Sequence, residues 1–130
     1  MGQSSKERDA GRILQAWRVE GAKPVEAWRL VDPSFSQVMD ALRKMDGRHY
    51  LSLTVGEDVL DIELATERGL YVVTITEFAE GEALAGHWLL PPPGRFRQHP
   101  EEVELALVEQ ALEVFYVRGE RCAELRWEQR

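Results

Sequence analysis

The clearest pattern in the chain is alternation. Leu51, Leu53 and Val55 alternate with Ser52 and Thr54, and Leu60, Ile62 and Leu64 alternate with Asp61 and Glu63. Tyr71, Val73 and Ile75 likewise alternate with Val72, Thr74 and Thr76. A period of two sends each apolar trio to one face of a sheet and leaves the other face mostly polar. The segments Gly56-Glu57-Asp58 and Thr66-Glu67-Arg68-Gly69 suit hairpin loops. Three successive antiparallel strands follow, with one face that must be covered.

Two stretches carry the helical period instead. Phe35, Val38, Leu42 and Met45 share one face of a predicted helix at about 33–46. Asp32 suits its N-cap, Pro33 its first turn and Gly47 its stop. A second helix is predicted to start at Pro100-Glu101-Glu102, with acids at its positive end, and to stop at Gly119. Val103, Leu107, Ala111 and Phe115 make its apolar stripe.

The flanking segments are less regular. The echo Ala16-Trp17-Arg18 and Ala27-Trp28-Arg29, around a turn at Gly21-Ala22-Lys23-Pro24, predicts a hairpin. A short helix over 6–18 is the alternative, since its residues favour one. Glu80-Gly81-Glu82 reads as a turn, and His87-Trp88-Leu89-Leu90 as a fourth strand. Pro91-Pro92-Pro93-Gly94 cannot continue a ladder and predicts a stiff extended loop. The tail Ala123-Glu124-Leu125-Arg126-Trp127 alternates again, as an edge strand would. The fold class expected is α+β: an antiparallel sheet of about four to six strands with two main helices packed against it. A flexible polar N-terminus over 1–11 precedes a single domain over 12–130.

Composition supports one well-solvated domain, with 44% hydrophobic and 30% charged residues among 130. Cys122 is the only cysteine, so no disulfide forms within the chain. With no long apolar run and no apolar leader at Met1–Asp9, the expected location is the cytoplasm.

Charge changes the picture more. Residues 51–93 hold Arg68 as their sole Lys or Arg against eight acids: Glu57, Asp58, Asp61, Glu63, Glu67, Glu77, Glu80 and Glu82. The net charge of the whole chain is −7. Such a field repels nucleic acid and draws a basic partner, although acids also serve solubility.

Reactive constellations are sparse. His49, His87 and His99 have no metal-ligand spacing, and Cys122 has no histidine beside it. There is no phosphate loop, nucleophile elbow or deaminase zinc motif. Asp61 and Glu63 project from the same strand face with Asp58 nearby, which allows a cation site, an acidic patch or a plain solvated face. No further ligands accompany them, so neither metal nor cofactor nor catalysis is expected. Trp88 and Trp127 suit core anchors or binding aromatics.

The C-terminal quarter resembles a known family. Ala111-Leu112-Glu113-Val114-Phe115, a turn with Gly119, and Leu125-Arg126-Trp127 are similar to the ending of immunity proteins from bacterial polymorphic-toxin systems, in the large family numbered first. There a helix with the outline A-x-x-F leads through a Gly-bearing turn to L-x-W. The resemblance extends over roughly 24–128, through Leu42-Arg43-Lys44-Met45-Asp46-Gly47 and Gly69-Leu70-Tyr71-Val72-Val73-Thr74. One departure is Arg68-Gly69, where the family often has paired glycines.

The resemblance implies a one-to-one complex with a cognate toxin domain, a deaminase or nuclease acting on nucleic acid among the candidates, and no direct contact with nucleic acid or membrane. Occlusion would be steric and electrostatic, because such toxins hold phosphates in a basic cleft. The expected contact residues are Glu57, Asp58, Glu80 and Glu82 in loops, Asp61 and Glu63 on the sheet, and His87 with Trp88 as central anchors. An acidic secretion chaperone, a dimer around an extended client, is the alternative.

Overall fold

The structure is a computed structural model that describes residues 11–79, 84–94 and 100–130. Seven strands form one sheet, all paired antiparallel. They are β1 (Arg12–Glu20), β2 (Lys23–Val31), β3 (Tyr50–Val55), β4 (Asp58–Ala65), β5 (Leu70–Phe78), β6 (Leu84–Leu89) and β7 (Glu128–Gln129), in the order β2-β1-β3-β4-β5-β6-β7. Helices α1 (Phe35–Arg43) and α2 (Leu105–Arg118) pack on one face. The α+β class holds, and seven strands replace the four to six expected.

Register puts the alternating apolar residues in rows. Leu14 lies opposite Leu53, Leu53 opposite Leu60, and Leu60 opposite Ile75. Ala16, Leu51, Ile62 and Val73 form the neighbouring row. All eight are buried, under Val38 and Leu42 of α1 and Val108, Leu112 and Phe115 of α2. Area removed from water on this face is the main stabilising term, at about 25 cal/mol per Å².

The two helices are fastened to each other and to β1. Arg43 pairs with Glu109 at 3.0 Å. Arg12 Nε donates to the carbonyl of Tyr116 at 2.6 Å, near the negative end of α2, and the Tyr116 hydroxyl donates to the Pro33 carbonyl at 2.8 Å.

Several boundaries differ from the sequence reading. The N-cap of α1 is Ser34, in a capping box with Gln37, because Asp32 adopts a φ of 52° at the end of β2 and cannot open the helix. The turn predicted to start a helix at Pro100 does not do so. Val103 exchanges two backbone hydrogen bonds with Tyr71, at 2.7 and 2.8 Å, and this bridge holds the chain extended until Leu105. Val103 is therefore a sheet-edge core residue rather than part of the helical stripe. The edge strand expected over Ala123–Trp127 falls instead at Glu128–Gln129, while Trp127 Nε1 donates back to the Cys122 carbonyl at 3.1 Å. The hairpin of β1 and β2 forms, so the helical alternative for residues 12–18 does not. Gly119, at φ 68°, ends α2 as expected.

Candidate functional site

The second face of the sheet is the face on which neither helix packs. Among the residues that alternate with the core rows and so fall on it are Trp17 on β1, Tyr50 and Ser52 on β3, Asp61 and Glu63 on β4, Thr74 and Thr76 on β5, and His87 with the buried Leu89 on β6. Polar side chains cross this face from strand to strand. Ser52 Oγ donates to Asp61 Oδ1 across the β3–β4 ladder, and Thr76 Oγ1 lies 3.0 Å from His87 Nδ1 across β5–β6. Trp17 stacks on Tyr50, ring centroids 6.4 Å apart.

Two grooves meet here. One, of about 300 Å³, is lined by Val19, Tyr50, Asp61, Glu63, Val72 and Thr74. The other, of about 250 Å³, is bordered by Trp17, Arg48 and His49, and shares Val19, Tyr50 and Glu63 with the first. Their walls join aromatic and aliphatic surface to two carboxylates, a lining that fits a long cationic side chain.

The electrostatics of the groove are set by burial. Burial pushes the Asp61 carboxyl above its ordinary range; the Ser52 hydrogen bond and the charge on His87 pull it down, and Glu63 adds to the rise. Tyr50 is also raised, first by burial and then by the charges of Asp61 and Glu63. Partial removal from water is thus the first cause at both groups, and the two carboxylates add to it.

The expected contact residues do not all gather on this face. Asp61, Glu63 and His87 share it. Glu57 is exposed in the β3–β4 turn, at the other end of β4 from Glu63, about 20 Å along the strand. Asp58 is only 4% exposed, and its Oδ1 accepts the Phe78 backbone N–H at 3.0 Å. Trp88 lies on the helix side, opposite Ile75, so adjacent His87 and Trp88 point to opposite faces. Glu80 and Glu82 lie outside the described residues. Tyr50 and Trp17 were not singled out from sequence, although both occupy the polar-face phase of their strands.

A larger cavity, about 660 Å³, opens on the helix side among Asp58, Glu77, Arg121, Cys122 and Trp127. Glu77 and Arg121 in its wall satisfy each other. Glu77 pairs with Arg121 at 2.9 Å and accepts Trp88 Nε1 at 3.0 Å, while the Arg121 guanidinium lies 3.7 Å over the Trp88 ring. That arrangement reads as a fastening between β5, β6 and the C-terminal segment.

Arg68 leaves the acidic character of residues 51–93 intact, because its guanidinium is held in a two-pronged pair by Glu102. Among the described residues, no group of three or more His, Cys, Asp or Glu is placed to hold a metal ion. No helix among them is long and apolar enough to cross a membrane.

What fold and site define together is an α+β protein of one seven-stranded antiparallel sheet, backed by two helices, with an acidic and aromatic groove on its other face. No family model, no curated protein and no solved structure matches the chain.

Proposed function

We propose that the chain is an immunity-type binding protein that uses the second face of its sheet, the one on which neither described helix packs, to occlude a basic toxin domain, one acting on nucleic acid as a deaminase or nuclease does. The observation that carries this reading is the groove itself. Asp61 and Glu63 stand beside the Trp17–Tyr50 pair on a face where neither helix packs. The resemblance of the C-terminal segment to immunity proteins and the acidic excess of residues 51–93 support it.

A toxin cleft that grips phosphates is lined with Arg and Lys. Carboxylates on a rigid sheet can take the place of those phosphates, and the aromatic wall can receive the aliphatic stem or planar head of the inserted cation. Glu57, exposed at the far end of β4, extends the negative field and serves encounter rather than anchoring. No bond is made or broken; inhibition requires only that the cleft be filled.

The test is co-expression with the toxin domain encoded beside the gene, scored by growth and by co-purification. Rescue with a stable complex that weakens when Asp61 and Glu63 are both neutralised is the expected result. Absence of rescue and of complex, with both proteins soluble, overturns the proposal. A complex formed only with an extended, unfolded segment would instead favour a secretion chaperone.

A further inference from the structure

Strand β2 is the outer strand of the sheet, and among the described residues nothing pairs with its outer side. All nine of its residues are exposed except Leu30, which is half-buried. Val25, Trp28 and Val31 are 37%, 39% and 67% exposed. An exposed edge with apolar side chains is a template for another strand.

The backbone specifies what that strand must look like. Asp32 N–H donates to Arg12 O at 2.7 Å, while Gly56 N–H donates to Gly11 O at 3.2 Å. Hydrogen bonding alternates along an antiparallel strand, so the even residues of β1 serve β2 and the odd residues serve β3. The β2 residues opposite odd positions, namely Val31, Arg29, Glu26 and Pro24, therefore turn their backbone groups outward. Glu26 and Arg29 share this phase because Ala27 is an extra residue, at the point where the register shifts between Ala16 and Trp17.

The outward set is symmetric about the bond between Ala27 and Trp28. Placed antiparallel to itself about that point, β2 sets Glu26 opposite Arg29 of a second copy and Pro24 opposite Val31. The same register sets Val25 opposite Leu30 and Lys23 opposite Asp32. Each charged residue then meets its opposite, each apolar residue meets another, and bulge faces bulge. Pro24 has no N–H to give, so each of the two Pro24–Val31 pairs carries one hydrogen bond instead of two, a cost at the ends of the paired segment.

We propose that this edge is a homodimer interface, in which β2 of two copies pairs antiparallel about Ala27–Trp28 to make one continuous sheet of fourteen strands, twice the seven of each copy. The pairing would cover Trp28, which borders a 230 Å³ groove with Met45 and His49. It leaves Asp61 and Glu63 free, since β4 stands three strands in from β2. The inference does not depend on the identity of any other partner.

Sedimentation equilibrium of the wild-type chain, Glu26→Arg, Arg29→Glu and an equimolar mixture of the two variants tests it. The wild type is expected to dimerise. Each single reversal, which sets like charges opposite each other twice, should weaken the dimer at least about tenfold. The mixture should restore it, because Arg at 26 of one chain then meets Glu at 29 of the other, and the native Arg29 of the first meets the native Glu26 of the second. Mixing cannot repair the contact between Glu26 and Arg29 within one chain, so a purely structural role would give no rescue. If a single variant fails to fold, the Glu26→Arg/Arg29→Glu double variant keeps both kinds of pair and should dimerise as the wild type does. A wild-type monomer at all concentrations, or a dimer indifferent to either reversal, overturns the proposal.

Discussion

Gly47 packs so tightly against Thr66 that a β-carbon on the glycine would overlap Thr66 Cγ2. The contact joins the α1–β3 connection to the β4–β5 hairpin, and so fixes the segment that carries Arg48, His49 and Tyr50 into the groove. Gly47 also has a φ of 88°, where an L side chain is strained. Gly47→Ala is expected to cost at least about 1 kcal/mol from the backbone and more from the clash. Adding Thr66→Ser should recover only the steric part. Urea midpoints of the single and double variants measure the split, and equal stability of Gly47→Ala and wild type would refute it.

The Asp61 carboxyl is pushed up in the folded state, so the native protein holds that proton to higher pH than the unfolded chain does. Between the ordinary aspartate pKa of about 4 and the raised value, the native state binds more protons, and stability from this group falls as pH rises. Asp61→Asn keeps an acceptor for Ser52 and removes the buried charge. It should flatten the stability profile in that window and leave stability at neutral pH equal to or above the wild type. Unfolding curves in a pH series check this. A variant as steep as the wild type would mean that Asp61 does not carry the slope.

Glu77 serves two partners at once, the Trp88 indole and the Arg121 guanidinium. Glu77→Ala leaves both half-buried groups without it and should cost roughly 2 kcal/mol, whereas Glu77→Gln, which can still accept from Trp88, should cost less. Gly86→Ala acts from the other side, because its β-carbon would lie 2.6 Å from Trp88 Nε1 and displace the ring. Both alanine variants should shift tryptophan fluorescence along with stability. An unchanged spectrum would show that Trp88 does not rely on this contact.

Asp58 and Glu57 are neighbours with opposite expectations. Asp58→Ala removes the buried acceptor of the Phe78 N–H and should cost about 1–3 kcal/mol. Glu57→Gln should leave stability within about 0.5 kcal/mol. If the proposed toxin complex forms, Glu57→Gln should slow association by up to about tenfold at low salt, with little change in dissociation. Stopped-flow binding at two ionic strengths separates the two steps.

Much of this fold could be read along the chain. Strict alternation in Leu51–Val55, Leu60–Leu64 and Tyr71–Thr76 located three central strands and their inward rows, because period-2 patterning and burial on one face are the same constraint. The Asp61/Glu63 pair was legible for the same reason. Tyr50 and Trp17 were not, because their stacking depends on β1 returning beside β3, a pairing of distant segments that no local pattern encodes. The same limit misplaced the start of α2: Pro100 and the acids after it carry every local sign of a helix, and only the bridge from Val103 to Tyr71 cancels it.

The sequence by itself determined the class, the rows of the core and the concentration of acids in the middle of the chain, since these follow from composition and from periods of two and about four. The tertiary structure alone decided the surroundings in which those acids stand. It buried Asp58 beneath the Phe78 amide, brought Asp61 and Glu63 beside Tyr50, and turned His87 and Trp88 to opposite faces. The physical reason is that one charge costs little in water and much in a core, and the side of the sheet on which it falls is fixed only when the strands pair.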